Sequence, residues 1–207
     1  MYTLTAYWVV YVNKSIIFVK TIKQEKMRKV MQLETDERFE LVQHYALLDF
    51  KKDKYKFECI AFLLALDTGL RASDLLNLKI TDITFNSDLR RYECRSDIKK
   101  TGVKNHLTLI SEKTFKAVKI LDHRITYIFT NPNTNKRFTR FWLYKRAKLR
   151  YGFTFHTLRK ISAKRILDVG TLADAQRHLA HKRITSTDAY LGVSEKDSLD
   201  RISSLYK

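Results

Sequence analysis

Apolar positions recur along this chain with two different periods, and the change of period divides it into parts. Tyr2 to Val12 and Ile16 to Val19 are apolar runs split by Asn13, Lys14 and Ser15. Each is too short to span a bilayer, and no basic stretch precedes them as it would in a secretory signal, so they read as the strands of a hairpin. A basic connector, Lys20 to Lys29, follows. Helical spacing begins near Thr35, where Asp36 is placed to cap a helix presenting Phe39, Leu41, Val42, Tyr45 and Leu48. Tyr55 to Leu66 reads as a second, strongly apolar helix closed by Asp67-Thr68-Gly69. Ala72 to Leu78 reads as a short third, with Arg71 at the bend between them.

From Ile80 to Ile110 the spacing becomes strand-like, broken by turn residues at Asn86-Ser87-Asp88 and around Lys100-Thr101-Gly102. A three-stranded antiparallel sheet is the simple reading. Helices are predicted beyond it at Glu112 to Leu121, Thr139 to Tyr151, Thr157 to Val169, Leu172 to Ala180 and Ser194 to Tyr206. Only five Gly and one Pro punctuate the 207 residues, which favours a compact body. The fold class is therefore α+β and mainly helical. Residues 1–34 form a hairpin and connector, and residues 35–207 form the body that carries the chemistry.

Charge changes the picture from fold to partner. Forty Lys and Arg against 22 Asp and Glu leave a formal charge of +18, an imbalance that calls for a polyanion. An anionic membrane or an acidic protein competes, but no long basic amphipathic helix stands out, so double-stranded DNA leads and no membrane partner is expected. Cys59 and Cys94 are the only cysteines, in no CxxC pair and with no His cluster at metal spacing. A cytoplasmic chain without disulfide framework, metal or cofactor fits, and the glycosylation sequon at Asn13 is chance. Between Lys136 and Arg183 stand fourteen basic residues and only two acids, Asp168 and Asp174. Any one of these lysines is most simply a solvated surface group; the run as a whole would lie against phosphate backbone.

Embedded among the basic residues is an ordered set of motifs. Gly-Leu-Arg-Ala-Ser-Asp-Leu-Leu-Asn-Leu at 69–78 comes first, then Lys-Thr-Gly-Val-Lys at 100–104 and Phe-His-Thr-Leu-Arg at 155–159. Leu-Ala-His at 179–181 and Ala-Tyr-Leu at 189–191 close the set. Each piece alone is weakly specific. Their order, with His181 twenty-five positions beyond His156 and Tyr190 nine beyond His181, resembles the tyrosine recombinase family of phage integrases. Thr154 to Lys164 is particularly similar to the matching segment of phage lambda integrase. The resemblance runs from about Thr35 to the C-terminus and places the family's Arg, Lys, His-x-x-Arg, His and Tyr on Arg71, Lys100, His156 with Arg159, His181 and Tyr190.

It implies a site-specific recombinase or integrase that cuts and rejoins DNA, in the setting of viral genome integration, through a 3′-phosphotyrosyl link and without metal or ATP. The residue types suit that chemistry. A phosphodiester under attack gathers charge on its non-bridging oxygens, and the guanidiniums of Arg71 and Arg159 can hold it by forked, charge-assisted hydrogen bonds. His181 can add a hydrogen bond to the same oxygens, and His156 can take or relay the tyrosine proton near neutral pH; the competing reading of both is as structural histidines. Tyr190 would be phenolate in only about one molecule in a thousand at pH 7, a deficit of roughly 4 kcal/mol for the cationic site to offset. Lys100 is the candidate acid for the departing 5′-oxygen, with Lys99 and Lys104 as rivals. Asp74 is placed either to pair with a catalytic arginine or to cap the short helix.

The chain departs from the family where a separate helical core-binding domain usually precedes the catalytic one. Only about thirty-four residues stand there, as in the short invertase-like members or in a fragment. A predicted helix at Ser194 to Tyr206 suits docking on a neighbouring protomer, and the resemblance implies a tetramer on paired sites, with accessory DNA-bending proteins as further partners. A type IB topoisomerase uses a similar residue set, and a non-catalytic DNA-binding protein on the same scaffold is a third reading.

Overall fold

A helix with apolar residues on every side has no face to give to water, so it must lie inside the fold. The run from Cys59 to Leu66 is such a helix, and in the computed structural model of the chain all eight residues are buried. The structure describes residues 7–12, 15–20, 40, 43, 44, 47, 55–121, 126–151 and 154–192, the side chains of 7–20, 149–151 and 190 excepted. Two units, residues 1–34 and 35–207, are each compact.

In the first unit β1 (Tyr7–Val12) and β2 (Ser15–Lys20) pair antiparallel, in register from Tyr7 opposite Lys20 to Val12 opposite Ser15. The residues predicted to begin the hairpin at Tyr2, and the connector after Lys20, lie outside the described residues.

The second unit is built on α1 (Lys56–Thr68), which packs against α5 (Phe155–Val169), β5 (Val103–Ile110) and α3 (Glu112–Lys119). Phe62 meets Phe155 edge-on at 5.4 Å, and Glu58, buried on α1, pairs at 3.5 Å with Arg146 of α4 (Arg140–Tyr151). The helix runs two residues past its predicted end, because Thr68 Oγ1 donates to Leu64 O at 2.6 Å. Gly69 then stops it in the left-handed region, φ +60°, with its N–H bonded to Ala65 O. Asp67, at the same end, accepts hydrogen bonds from Ser111 N, Ser111 Oγ and Thr114 Oγ1, so one carboxylate anchors the start of α3. Burial raises the pKa of Asp67 against the pull of those donors.

After Gly69 comes α2 (Ala72–Leu75), a single turn where Ala72 to Leu78 was predicted. Asn77 and Leu78 bond back only three residues, to Asp74 O and Leu75 O, which tightens and ends the helix. Leu78 O is instead taken by Ile128 N at 3.0 Å, beside the bridge between Lys79 and Tyr127. A 3-10 turn over Ile80–Asp82 leads into β3 (Ile83–Asn86), β4 (Arg91–Ile98) and β5, an antiparallel sheet of order β3-β4-β5. The β4–β5 turn carries Lys100, and Gly102 supplies its positive φ of 74°.

Two differences from the sequence reading bear on the site. Thr154 caps α5, its hydroxyl accepting Thr157 N–H at 3.2 Å, so the helix begins at Phe155 and His156 lies in its first turn. After α6 (Leu172–His178), a helix was not predicted, yet α7 (Ile184–Leu191) is there and carries Tyr190. Ile184, Thr185 and Thr187 are β-branched, poor helix formers, and no side chain caps the start. Gly192, left-handed at φ +62° with its N–H on Asp188 O, is the end signal. Of the helix expected from Thr35, Glu40, Gln43, His44 and Leu47 are described and all are helical; the helix expected at Ser194 to Tyr206 lies outside the described residues. Among the described residues no helix is long and apolar enough to cross a membrane.

A side chain at Gly69 meets two obstacles at once. Its Cβ would come within 2.9 Å of His178 Nε2 and 3.3 Å of Ser162 Oγ, in a φ that non-glycine residues adopt at a cost. Gly69→Ala is expected to destabilise the body by about 1–3 kcal/mol, read as a lower urea midpoint at unchanged slope; a midpoint equal to wild type would contradict this packing.

Candidate active site

Arg71, Lys100, His156, Arg159 and His181 are far apart in sequence and arrive on separate elements, yet all five line one open cleft of about 1000 Å³. Arg71 enters from the extended residue that begins α2, directly after the Gly69 turn. Lys100 comes from the β4–β5 turn, His156 and Arg159 from α5, and His181 from the link between α6 and α7. Among the described residues the lining holds six Lys and Arg (Arg71, Lys99, Lys100, Arg140, Arg159, Lys182), two His and no acid.

Arg159 is the most constrained of these groups. It is buried, with Nη1 donating to Gly69 O and Nη2 donating to Leu179 O at 2.7 Å. The same Nη2 lies 3.1 Å from His181 Nε2. A guanidinium has only donors, so His181 Nε2 presents its lone pair and the ring proton resides on Nδ1, 3.0 Å from Thr187 Oγ1. In this arrangement the ring accepts from Arg159 and donates to Thr187, whereas the sequence assigned it a donor role toward phosphate. Among the described residues Arg71 Nη1 and Thr101 Oγ1 are buried without a hydrogen-bond partner.

The three lysines of the turn are separated by their neighbours. Lys99 Nζ reaches Asn77 Oδ1 at 3.4 Å, and Lys104 Nζ is paired with Asp97 at 2.9 Å. Lys104 is not among the residues lining the cleft, and Lys100 is. Asp74 takes neither role the sequence suggested for it. It forms no ion pair with Arg71 among the described residues and caps nothing; its Oδ1 accepts Lys99 N–H at 3.3 Å, fastening the lysine turn to α2 beside Arg71.

Burial, reinforced by nearby cations, holds the site's histidines neutral. Burial, then Arg159, Arg71 and Lys100, push His181 down to about 4. Burial, Lys160 and Arg159 lower His156. Behind the cleft His178, whose Nε2 lies 2.7 Å from Ser162 Oγ, is pushed down to about 4 by burial, Arg159 and His106. His106 donates from Nε2 to the His178 carbonyl at 3.1 Å; burial lowers its pKa too, against that hydrogen bond.

Comparison with known proteins places this geometry. Residues 32–197 match the model of the phage integrase family. The chain belongs to that family. It is 29% identical over 150 residues, 66% of its length, to a tyrosine recombinase of Thermosipho africanus (strain TCF52B), covering 50% of that protein. It is 29% identical over 169 residues, 77% of its length, to a probable integrase/recombinase of Acholeplasma phage L2, covering 57% of it. The chain thus spans about half the length of these curated relatives. Among solved structures it resembles XerH site-specific recombinase bound to difH substrate, with TM-score 0.66 and 18% identity over 83% of this chain and 53% of that one. It also resembles a lambda integrase dimer bound to a core site, with TM-score 0.52 and 20% identity over 75% and 46%. These likenesses fix the fold as that of tyrosine recombinase catalytic domains.

Within this integrase-family fold, five of the six residues singled out in the sequence meet in the cleft. The sixth, Tyr190, lies on α7, whose Ser186 also lines the cleft; the Tyr190 side chain lies outside the described part. Thr187 and His178 escaped the sequence reading. The signal for Thr187 was its place one helical turn before Tyr190, legible only once Ile184–Leu191 is known to be helical.

The neutral histidines set a pH dependence. His178 titrates near 4 when folded, against an ordinary 6.5, so below pH 6.5 the unfolded chain binds a proton that the folded chain refuses. Stability is therefore level above about pH 6.5 and falls toward pH 4, by roughly 3 kcal/mol at most from His178, with His181 and His106 adding in the same direction. Urea unfolding across pH 4–8 reads this directly; a flat profile would contradict the neutral assignment.

Proposed function

We propose that this chain is a site-specific tyrosine recombinase that cleaves and rejoins double-stranded DNA, with Tyr190 as the nucleophile. The observation that carries the proposal is the meeting of Arg71, Arg159, Lys100 and the neutral His156 and His181 in one cleft that is lined by no acid among the described residues. A set of preorganised donors is worth most where charge develops during reaction, and a phosphodiester under attack develops it on the non-bridging oxygens. Arg71 and Arg159 clamp those oxygens. His156, neutral and exposed at the start of α5, takes the phenolic proton as the Tyr190 oxygen bonds to phosphorus.

The bond from phosphorus to the 5′-oxygen breaks in the same step, and that oxygen leaves with a proton from Lys100. A 3′-phosphotyrosyl link remains, conserving the energy of the broken bond, so a 5′-hydroxyl of another strand can reverse each transfer without ATP. Residues 35–207 act as the catalytic domain, and residues 1–34 as an N-terminal hairpin and connector. The basic run from Lys136 to Arg183 supplies phosphate-backbone contacts. The working form is a tetramer on paired sites in the cytoplasm, assisted by DNA-bending proteins.

Two measurements test the roles. On a nicked duplex of neighbouring genomic DNA the wild type should trap a covalent adduct, and Tyr190→Phe should abolish it while leaving duplex affinity within about twofold, since one hydroxyl is lost from a large basic surface. Adduct persisting at wild-type level removes Tyr190 as nucleophile. Lys100→Ala should cleave slowly on normal DNA and recover on a 5′-bridging phosphorothiolate, whose sulfur leaves without a proton. Recovery of Lys104→Ala or Lys99→Ala instead would move the acid to that lysine.

A further inference from the structure

Thr187 is completely buried and stands one turn before Tyr190 on α7. A buried threonine methyl needs only packing, but a buried hydroxyl needs a partner. Here the partner is His181 Nδ1, at 3.0 Å. The backbone of His181 is held from elsewhere: its N–H bonds to Gln176 O at 3.1 Å, and its carbonyl accepts Gln176 Nε2 at 3.0 Å. With the backbone fixed by α6, both ring nitrogens are engaged. One faces Arg159 Nη2 at 3.1 Å, the other faces Thr187.

We propose that Thr187 is a positioning residue of the strand-transfer reaction, whose hydroxyl fixes the His181 ring and so couples docking of the Tyr190 helix to the arginine clamp. The proposal rests on the recombinase reading above. Its physical core is that a hydroxyl can serve either ring tautomer. It accepts from Nδ1–H when Nε2 faces Arg159 with its lone pair. When an oxygen of the scissile phosphate approaches Nε2 and needs a donor, the ring exchanges one proton off Nδ1 and one onto Nε2 through water. The Thr187 O–H then rotates to donate to the bare Nδ1. The ring changes role without changing place, which a methyl group at the same position would not allow. Because Thr187 belongs to α7, displacing that helix removes the ring's partner and carries Tyr190 away in the same movement.

Two variants and one spectrum test this. Thr187→Val keeps the volume and removes the hydroxyl; Thr187→Ser keeps the hydroxyl and removes the methyl. On the nicked duplex, adduct formation in a single turnover should slow on the order of tenfold to a hundredfold in Thr187→Val, the scale of losing one positioning contact. Duplex affinity should not change, and Thr187→Ser should restore most of the rate. Nitrogen-15 spectra of the histidines should show His181 with a protonated Nδ1 and a bare Nε2 in wild type and Thr187→Ser, and an averaged pair in Thr187→Val. A Thr187→Val protein that cleaves at wild-type rate, or keeps the wild-type nitrogen pattern, overturns the proposal. So does a Thr187→Ser protein as slow as Thr187→Val, which would make the methyl packing the cause. If wild type traps no adduct while the nitrogen pattern changes as expected, the recombinase reading falls and only the ring's dependence on Thr187 survives.

Discussion

A guanidinium inside a protein has to be answered on every side, because it carries a permanent charge and five donors and accepts nothing. Arg159 is answered by backbone. Gly69 O belongs to the left-handed stop of the central helix, and Leu179 O to the end of α6. Those two carbonyls lie 90 and 20 residues from Arg159 in the chain, so satisfying one side chain brings three distant segments to a single point. The third partner, His181, extends the grip to α7 through Thr187. Arg71 owes its position to the same arrangement, since it follows Gly69 by two residues and cannot face the cleft unless the turn is held. Removing the Arg159 charge would therefore loosen the site's frame as well as its chemistry.

The lysine turn is attached to this frame by a different device. Asp74 is buried on α2 and accepts the backbone N–H of Lys99, so the tip of a two-stranded ribbon is fixed to the residue three beyond Arg71. A short exposed turn held only by its own hydrogen bonds would sample many positions. Fastened at Lys99, the turn brings both Lys99 and Lys100 to the cleft, and the Lys99 ammonium is engaged by Asn77. Two adjacent lysines that composition cannot tell apart thus differ by one amide partner.

What the sequence made legible follows from which forces are local. The apolar run at Cys59–Leu66 and the alternation of β4 and β5 leave marks within a few positions. The site's cations were legible because the motifs keep their order along the chain. The length of α2, the helix at Ile184–Leu191 and the donor to Asp74 left no such marks. Two are decided by contacts from far along the chain, Ile128 taking Leu78 O and the Lys99 amide reaching α2, and the third by burial of Thr187 beside His181, six residues away. Packing overrode weak local propensity there: β-branched Ile184, Thr185 and Thr187 are helical, with the Thr187 hydroxyl buried against His181.

The histidines carry the last consequence of crowding cations around an acid-free cleft. Burial first, and then each guanidinium near His181, makes its protonated form more costly, so the ring remains neutral well below physiological pH and offers Arg159 a lone pair. The buried Nη1 of Arg71, unbonded among the described residues, represents the same tension from the other side: a donor held out of water costs about 1–3 kcal/mol until an acceptor arrives. A phosphate oxygen relieves both at once, because it accepts from the guanidiniums and, being negative, makes a proton on His181 Nε2 favourable where it was not. Electrostatic strain in the folded chain thus points in one direction. The site is built against its own cations and in favour of an anion between them, and the ring that changes role when the anion arrives is the one joined through Thr187 to the helix bearing Tyr190.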